Sequence, residues 1–465
     1  MAVLVVGVFT MTFAKPSCAQ SVTLDDLLKR VEAVEKQNAE LQQQNADLRS
    51  EIEAIKNNQA QAAQSSRPAA PAASASLAPA PVPGLNFVTS KLKLNVYGYV
   101  QLENVYSTGS AVSASSGSTT AVYSNVVSYA APHGMIGKAQ KNDTFSAQNS
   151  RLGMSITGPD VIGGKTSGKV EVDFNNPTAS SSAETYQPRL RLAFASLDYE
   201  KWGVTAGQNW DFFAPLKTDI INSSNMWRAG DFGYRHPQVF LTARWGEVLG
   251  GKLTTQVGLI DSSDIYQDNS GAPVAGIYAS YATKIAGHDT TIGAGGIFGT
   301  TSTSTLNSIG KDNNNMYAED VNAQISITRW LSLKGQGFMG GNLANFMGGP
   351  YGQSIPGITD TILPQNSKPL KTLGGFAEFT IKPVKKLQFN LGAGLDDTTN
   401  RSSVIASPAD QALMWSTNRS YFANVKYNLT NDLTVGIEYQ YLHTNYLDGV
   451  IGSDNRIDTC MTYNF

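Results

Sequence analysis

Ile457-Asp458-Thr459-Cys460-Met461-Thr462-Tyr463-Asn464-Phe465 is the stretch that decides how the rest of the chain is read. Ile457, Thr459, Met461, Tyr463 and Phe465 fall on one face of an extended strand, and Asp458, Cys460, Thr462 and Asn464 fall on the other. A free carboxylate on a terminal Phe has no place in a buried core. A closing strand whose last ring lies in the interfacial aromatic girdle of an outer-membrane barrel accommodates both.

The same alternation recurs upstream. Leu92, Leu94, Val96, Val100 and Leu102 oppose Lys93, Asn95, Tyr97, Tyr99, Gln101 and Glu103. Val321, Ala323, Ile325 and Ile327 oppose Asn322, Gln324, Ser326 and Thr328, and Leu433, Val435, Ile437, Tyr439 and Tyr441 oppose Thr434, Glu438 and Gln440. A soluble sandwich would carry the same pattern turned inside out, so the connections must discriminate. Roughly seven tight turns alternate with long Ser/Thr/Asn/Gly-rich stretches such as 107–143, 209–237, 340–370 and 398–417, the turn-and-loop layout of a barrel of about 16 strands. Trp202, Trp245 and Trp330 each sit beside a tight turn, where a periplasmic girdle belongs. Around Ala195–Asp198 the phase slips by one residue, which reads as a bulge or a misplaced strand end.

Composition agrees. Charged residues make up 15% of 465 residues, against 43 Gly and 19 Tyr, and the net charge is -2, so no basic surface points to nucleic acid. After residue 20 no run reaches the ~18 apolar residues of a membrane helix. Strands that alternate are compatible with the mild mean hydropathy of -0.20.

The front end differs in kind. Residues 1–19 read as a signal peptide, with an apolar run from Ala2 to Ala14 and Ser17-Cys18-Ala19 as a small-x-small cleavage site. No Lys or Arg precedes that run, which leaves open a start further upstream. Residues 20–58 carry heptads with Leu24, Val31, Asn38, Asn45 and Ile52 at a and Leu27, Val34, Leu41, Leu48 and Ile55 at d, predicting a parallel coiled coil. An Ala/Pro-rich linker, 59–90, follows, and then the barrel, 91–465. Cleavage would leave Cys460 as the one cysteine, excluding an internal disulfide.

The barrel resembles the DcaP-like porins, a family of trimeric outer-membrane channels of Gram-negative bacteria. The likeness rests on Tyr97-Gly98-Tyr99-Val100, Asn149-Ser150-Arg151-Leu152-Gly153, Lys169-Val170-Glu171-Val172-Asp173-Phe174, Arg189-Leu190-Arg191-Leu192-Ala193-Phe194, Gly207-Gln208-Asn209-Trp210 and Tyr463-Asn464-Phe465. It thins out after about residue 260, where only generic strand and turn patterns precede the last strand. The resemblance implies a homotrimer with a periplasmic coil, in contact with outer-membrane lipid, that takes up small anionic solutes such as dicarboxylates. The terminal Tyr-x-Phe is also similar to the signal by which barrel proteins are recognised for insertion.

With the apolar face toward lipid, the other face places Arg151, Lys169, Arg189, Arg191, Arg244, Lys334 and Lys426 inside, against Glu103, Glu171, Asp173, Asp320, Glu378 and Glu438. Arg151, Lys169, Arg189 and Arg191 come from successive strands and are expected to form one basic wall, since Arg forks bind carboxylates and like charges set pore selectivity. Mutual neutralisation that only stiffens the wall is the alternative. The stretch 209–237 is long enough to fold inward as a constricting loop. Trp210, Asp211, Phe212, Phe213, Trp227, Arg228 and Arg235 are then its candidates, unless it packs on the outer rim.

Catalysis finds little support. His133, His236, His288 and His443 are isolated and in no ligand spacing, so neither a metal nor another cofactor is implied. Gly163-Gly164-Lys165-Thr166 has Pro159 where a phosphate loop needs its first Gly, and reads as a turn. The expectation is a passive diffusion channel for small hydrophilic, anionic solutes. Two alternatives stand beside it: a tether or adhesin whose coil reaches a periplasmic or peptidoglycan partner, and a phosphate- or sugar-selective porin.

Overall fold

The computed structural model describes residues 36, 43, 85–88, 92–109, 127, 141–175, 187–262, 272–302, 313–349, 369–401 and 415–465. The chain divides into two units, Met1–Ala73 and Ser74–Phe465. In the first, only Lys36 and Gln43 are described, both helical and exposed. The signal-peptide expectation, the coiled coil apart from these two residues and most of the linker lie outside the described residues.

The second unit is a meander of β-strands. In chain order these are β1 (Leu85–Val88), β2 (Lys93–Ser107), β3 (Asn142–Ser146), β4 (Arg151–Thr157), β5 (Lys165–Asp173) and β6 (Arg189–Asp198). They continue with β7 (Trp202–Trp210), β8 (Arg235–Val248), β9 (Gly251–Ile260), β10 (Val274–Ile285), β11 (His288–Ser302) and β12 (Asn313–Ser326). Last come β13 (Leu331–Gly341), β14 (Lys371–Val384), β15 (Leu387–Thr398), β16 (Trp415–Asn428), β17 (Leu433–Tyr446) and β18 (Ile451–Asn464). Apart from β3 and β4, each pairs antiparallel with the next in the chain, and β18 returns to β2, from Asn464 opposite Tyr99 to Arg456 opposite Ser107. β3 and β4 both pair with β2 and together make one wall strand, so the closed barrel has 16. β1, in residues assigned by composition to the linker, pairs with Lys93–Val96 at the start of β2.

The seven connections at one end, from β4–β5 to β16–β17, are all short, as the sequence predicts. Ile162-Gly163, Leu249-Gly250 and Ala286-Gly287 place two consecutive residues at positive φ. That is the type I′ geometry whose twist matches a hairpin, and Gly takes the second position each time. The phase slip expected near Ala195–Asp198 is a bulge: the β5–β6 register shifts between Glu171 and Val172, which face Leu192 and Leu190. The extra residue, Arg191, sits between those two, a few positions earlier than the alternation suggested.

Burial is inverted relative to a soluble protein. Val100, Leu241, Ile277, Val321 and Leu391 are more than half exposed, while Glu103, Glu378, Asp396 and Glu438 are at most 1% exposed. Apolar side chains face out and carboxylates face in, the arrangement of a transmembrane barrel. Trp202, Trp245 and Trp330 are exposed at the tight-turn end, where a girdle forms.

Candidate functional site

The connection between β7 and β8, residues 211–234, is the third loop and folds into the barrel. Its neck is clamped at Asp211: the amide donates to Tyr234 O at 2.9 Å, Oδ2 accepts from the Tyr234 amide at 2.7 Å, and Oδ1 pairs with His236 Nδ1 at 2.7 Å. Beyond the neck, Phe212 and Phe213 enter an apolar cluster with Phe232, Phe240, Tyr278, Ile297, Phe338 and Phe346. The loop's buried amides then need acceptors, and inward carboxylates and amides of distant strands supply them. The Asp219 amide donates to Glu378 at 2.8 Å, the Ile221 and Asn222 amides to Glu438 at 2.7 and 3.2 Å, and the Phe232 amide to Gln336 at 3.1 Å. Lys334 binds the Asp219 carboxylate at 2.8 Å and Lys426 its carbonyl at 2.7 Å.

Gly230 has φ +118°, and a Cβ there would lie 2.4 Å from Gly375 O, so the loop touches the wall backbone directly. Two loop carboxyls respond in opposite ways. Burial pushes Asp231 up to about 6 although Lys217 Nζ lies 2.8 Å away. Burial works in the same direction on Asp219, yet Lys334 and Lys426 hold it below the usual carboxylate range.

Across from the loop, three arginines and two carboxylates form one network. Arg189 binds Asp173 through two nitrogens at 2.9 and 2.7 Å. Arg191 bridges Glu171 at 2.9 Å and Asp173 at 2.7 Å, and Arg151 lies 3.4 Å from Glu171. Tyr97 donates its hydroxyl to Glu171 at 2.9 Å, and Lys169 Nζ stands 4.9 Å above the Tyr97 ring. Arg189 and Arg191, on either side of the bulge's start, thus share Asp173, and Arg191 alone reaches both acids. Three guanidinium groups face two carboxylates, leaving one positive charge in excess. Arg191 is 8% exposed and consumed by its partners; Arg151 and Arg189, at 26% and 27%, keep free edges.

Between this wall and loop residues 220–227 lies a cavity of about 440 Å³. Arg151, Arg189, Arg191, Asp173 and Lys426 line it, together with Tyr99, Gln101, Asn149 and Ile220–Asn225. Of the loop aromatics foreseen in the sequence, Trp227 lines it. Other foreseen residues lie elsewhere. Asp211 is buried in the neck, and Arg228 turns away to the Gly349 and Ala344 carbonyls at 3.0 and 3.4 Å. Arg244 pairs with Asp198 at 2.6 Å beside the β6–β7 turn. Arg235 is buried with its guanidinium 5.1 Å from the Trp210 ring centroid and 4.6 Å from that of Tyr234. Trp210, opposite Arg235 in the β7–β8 register, also has the Arg191 guanidinium 5.9 Å and Lys217 Nζ 5.8 Å from its ring, so the pair stacks against the basic wall without lining the cavity itself. Asn222–Asn225 was not foreseen, and its only signal is a run of small polar residues inside the loop.

No protein-family model matches the chain, and no curated protein matches it. Solved structures do. The outer-membrane channel DcaP of Acinetobacter baumannii superimposes with a TM-score of 0.61 at 17% identity, over 83% of this chain and 100% of that one. An anion-selective porin from Comamonas acidovorans matches with a TM-score of 0.52 at 11% identity, over 80% of this chain and 100% of that one. Salmonella typhi OmpF, in a complex with daunomycin, matches with 0.50 at 14%, over 82% and 100%. The fold is therefore that of the outer-membrane porins.

Proposed function

We propose that this protein is an outer-membrane diffusion channel for small hydrophilic solutes, with a preference for anions, dicarboxylates among them. The observation that carries the reading is the cavity between the inward loop and the Arg151–Arg189–Arg191 wall, on which two guanidinium edges remain unconsumed. A planar guanidinium pairs with a carboxylate through two parallel hydrogen bonds, so two separated edges suit a solute with two carboxylates. Glu171 and Asp173 hold the arginines in place and lower the wall's net charge, which favours a mild preference over tight binding. The fold shared with an anion-selective porin supports the direction of that preference. The same reading has the channel as a homotrimer in the outer membrane, its N-terminal coil in the periplasm, free to meet a periplasmic or peptidoglycan partner. It needs no cofactor, and no reaction is assigned to it.

The tether reading draws on a different observation, the apolar cluster that packs the loop against β8–β13 and fills part of the interior. The zero-current potential of the purified protein in a planar bilayer under a salt gradient separates the two. Stepwise conductance with an anion-signed potential is expected. A cation-signed potential would move the selectivity to Glu171 and Asp173, and the absence of conductance would leave the tether.

A further inference from the structure

The outward face of β14–β17 carries a feature that solute passage does not use. On β16 the outward residues from the loop end inward are Arg419, Tyr421, Ala423 and Val425. Ala423 lies between Leu391 on β15 and Tyr439 on β17, both about half exposed or more. A methyl between two large side chains leaves a hollow. A groove of about 340 Å³ opens there, walled by Ile381, Phe389, Leu391, Ile437 and Tyr439 and almost wholly apolar. Arg419 stands four residues toward the loops on the same strand, roughly 13 Å above at ~3.3 Å per residue.

Arg419 is exposed, flanked by Leu395 and His443, and its guanidinium makes no hydrogen bond or ion pair among the described residues. Lys371, at the loop end of β14, is exposed on the same face. Of the carboxylates on this face, Asp397 is engaged by Arg401, and Glu319 lies away on β12. A charge on the lipid side of a barrel is costly at the bilayer centre and tolerated only toward the interface. An unpaired guanidinium there, above an apolar groove, is complementary to an amphiphile with an anionic head over an acyl tail. A second copy of this chain would bury Arg419 against another apolar band with no counter-charge.

We infer that the β14–β17 face binds a phosphorylated, acylated lipid of the outer leaflet, its phosphate on Arg419 and Lys371 and one acyl chain in the groove at Ala423. This rests on the barrel standing in the outer membrane. It adds a lipid site on the outside, separate from the solute path inside.

The test is native mass spectrometry of the full chain in detergent with bis-phosphorylated lipid A, the same lipid dephosphorylated, and inorganic phosphate. The wild type should bind the phosphorylated lipid roughly tenfold better than the dephosphorylated one, with free phosphate not competing at millimolar concentration. Arg419→Gln with Lys371→Gln should remove that difference, and Ala423→Leu should weaken both lipids by filling the groove. Planar-bilayer conductance of each variant should equal the wild type's, so loss of the lipid site is read separately from loss of the channel. Equal binding of the two lipids by the wild type would overturn the proposal. So would unchanged binding by the double variant, or a change of oligomeric state in lipid-free detergent caused by Ala423→Leu, which would make the groove a contact between copies.

Discussion

Two sides of one barrel interior differ completely. Toward β8–β13, inward positions carry Phe240, Tyr278, Ile297 and Phe338, and the loop meets them with Phe212, Phe213 and Phe232. Toward β4–β6 they carry Arg151, Arg189, Arg191, Glu171 and Asp173, and the loop keeps its distance across a cavity. The backbone is the same antiparallel ladder on both sides, so the ladder does not decide where the loop lies. Burial of rings does, at roughly 25 cal/mol per Å² of apolar surface removed from water. Carboxylates such as Glu378 and Glu438 then satisfy the amides that burial would strand.

The comparison can be broken most severely on the packed side. Phe232 is fully buried and stacks on Phe338 with ring centroids 4.5 Å apart. Phe232→Ala should cost about 3 kcal/mol or more, read as earlier thermal unfolding of the folded band in gels, with larger and noisier single-channel steps as the loop leaves the wall. An unchanged band and quiet steps would mean that the carboxylates alone hold the loop.

The next effect is one of pH. Asp231 in the loop is pushed up to about 6, above its ordinary 3.8, so the folded state holds its proton more tightly than the unfolded chain does. Its share of stability is full below about 4 and is lost as pH rises through about 6. Between those limits the loss should be at most on the order of 2 kcal/mol. Melting measured from pH 4 to 7 should show that fall, and Asp231→Asn should flatten it.

On the open side the changes are in selectivity. Replacing Arg189 and Arg191 together with Gln leaves Glu171 and Asp173 facing Arg151 alone, which should move the zero-current potential toward cations. One unit charge at a few ångströms in water is worth about 1 kcal/mol, so the permeability ratio should fall on the order of fivefold. No change would remove the wall from the site. The smallest effect sharpens the edge of the wall: Arg235→Gln, buried behind Trp210 and set back from the cavity, should alter the ratio less than about twofold. A fall matching that of the double variant would place Arg235 on the solute path.

Strand alternation, tight turns and the length of 209–237 made the barrel, its strand number and its inward loop legible from the residues alone. The basic wall was legible too, because period 2 fixes the face of a strand residue. What sequence left open was every decision made across the barrel. Arg228 ends on the Gly349 carbonyl, 121 residues away, and the Ile221 amide on Glu438, 217 residues away. No local pattern encodes such a partner. Arg235 reads as a loop residue, whereas β8 begins with it and the Trp210 and Tyr234 rings enclose its guanidinium, an enclosure that no local pattern encodes.

The seam between β18 and β2 has a consequence for how such a chain comes to exist. Ser107 and Asp454 meet across it, 347 residues apart. Until β18 arrives, every shorter intermediate carries two bare sheet edges, and such edges pair with whatever strand is nearby. Contacts of that span also form slowly. Assembly is thus a race between sealing the seam and sticking to a stranger, and the cell must keep the chain in custody until its last strand is delivered.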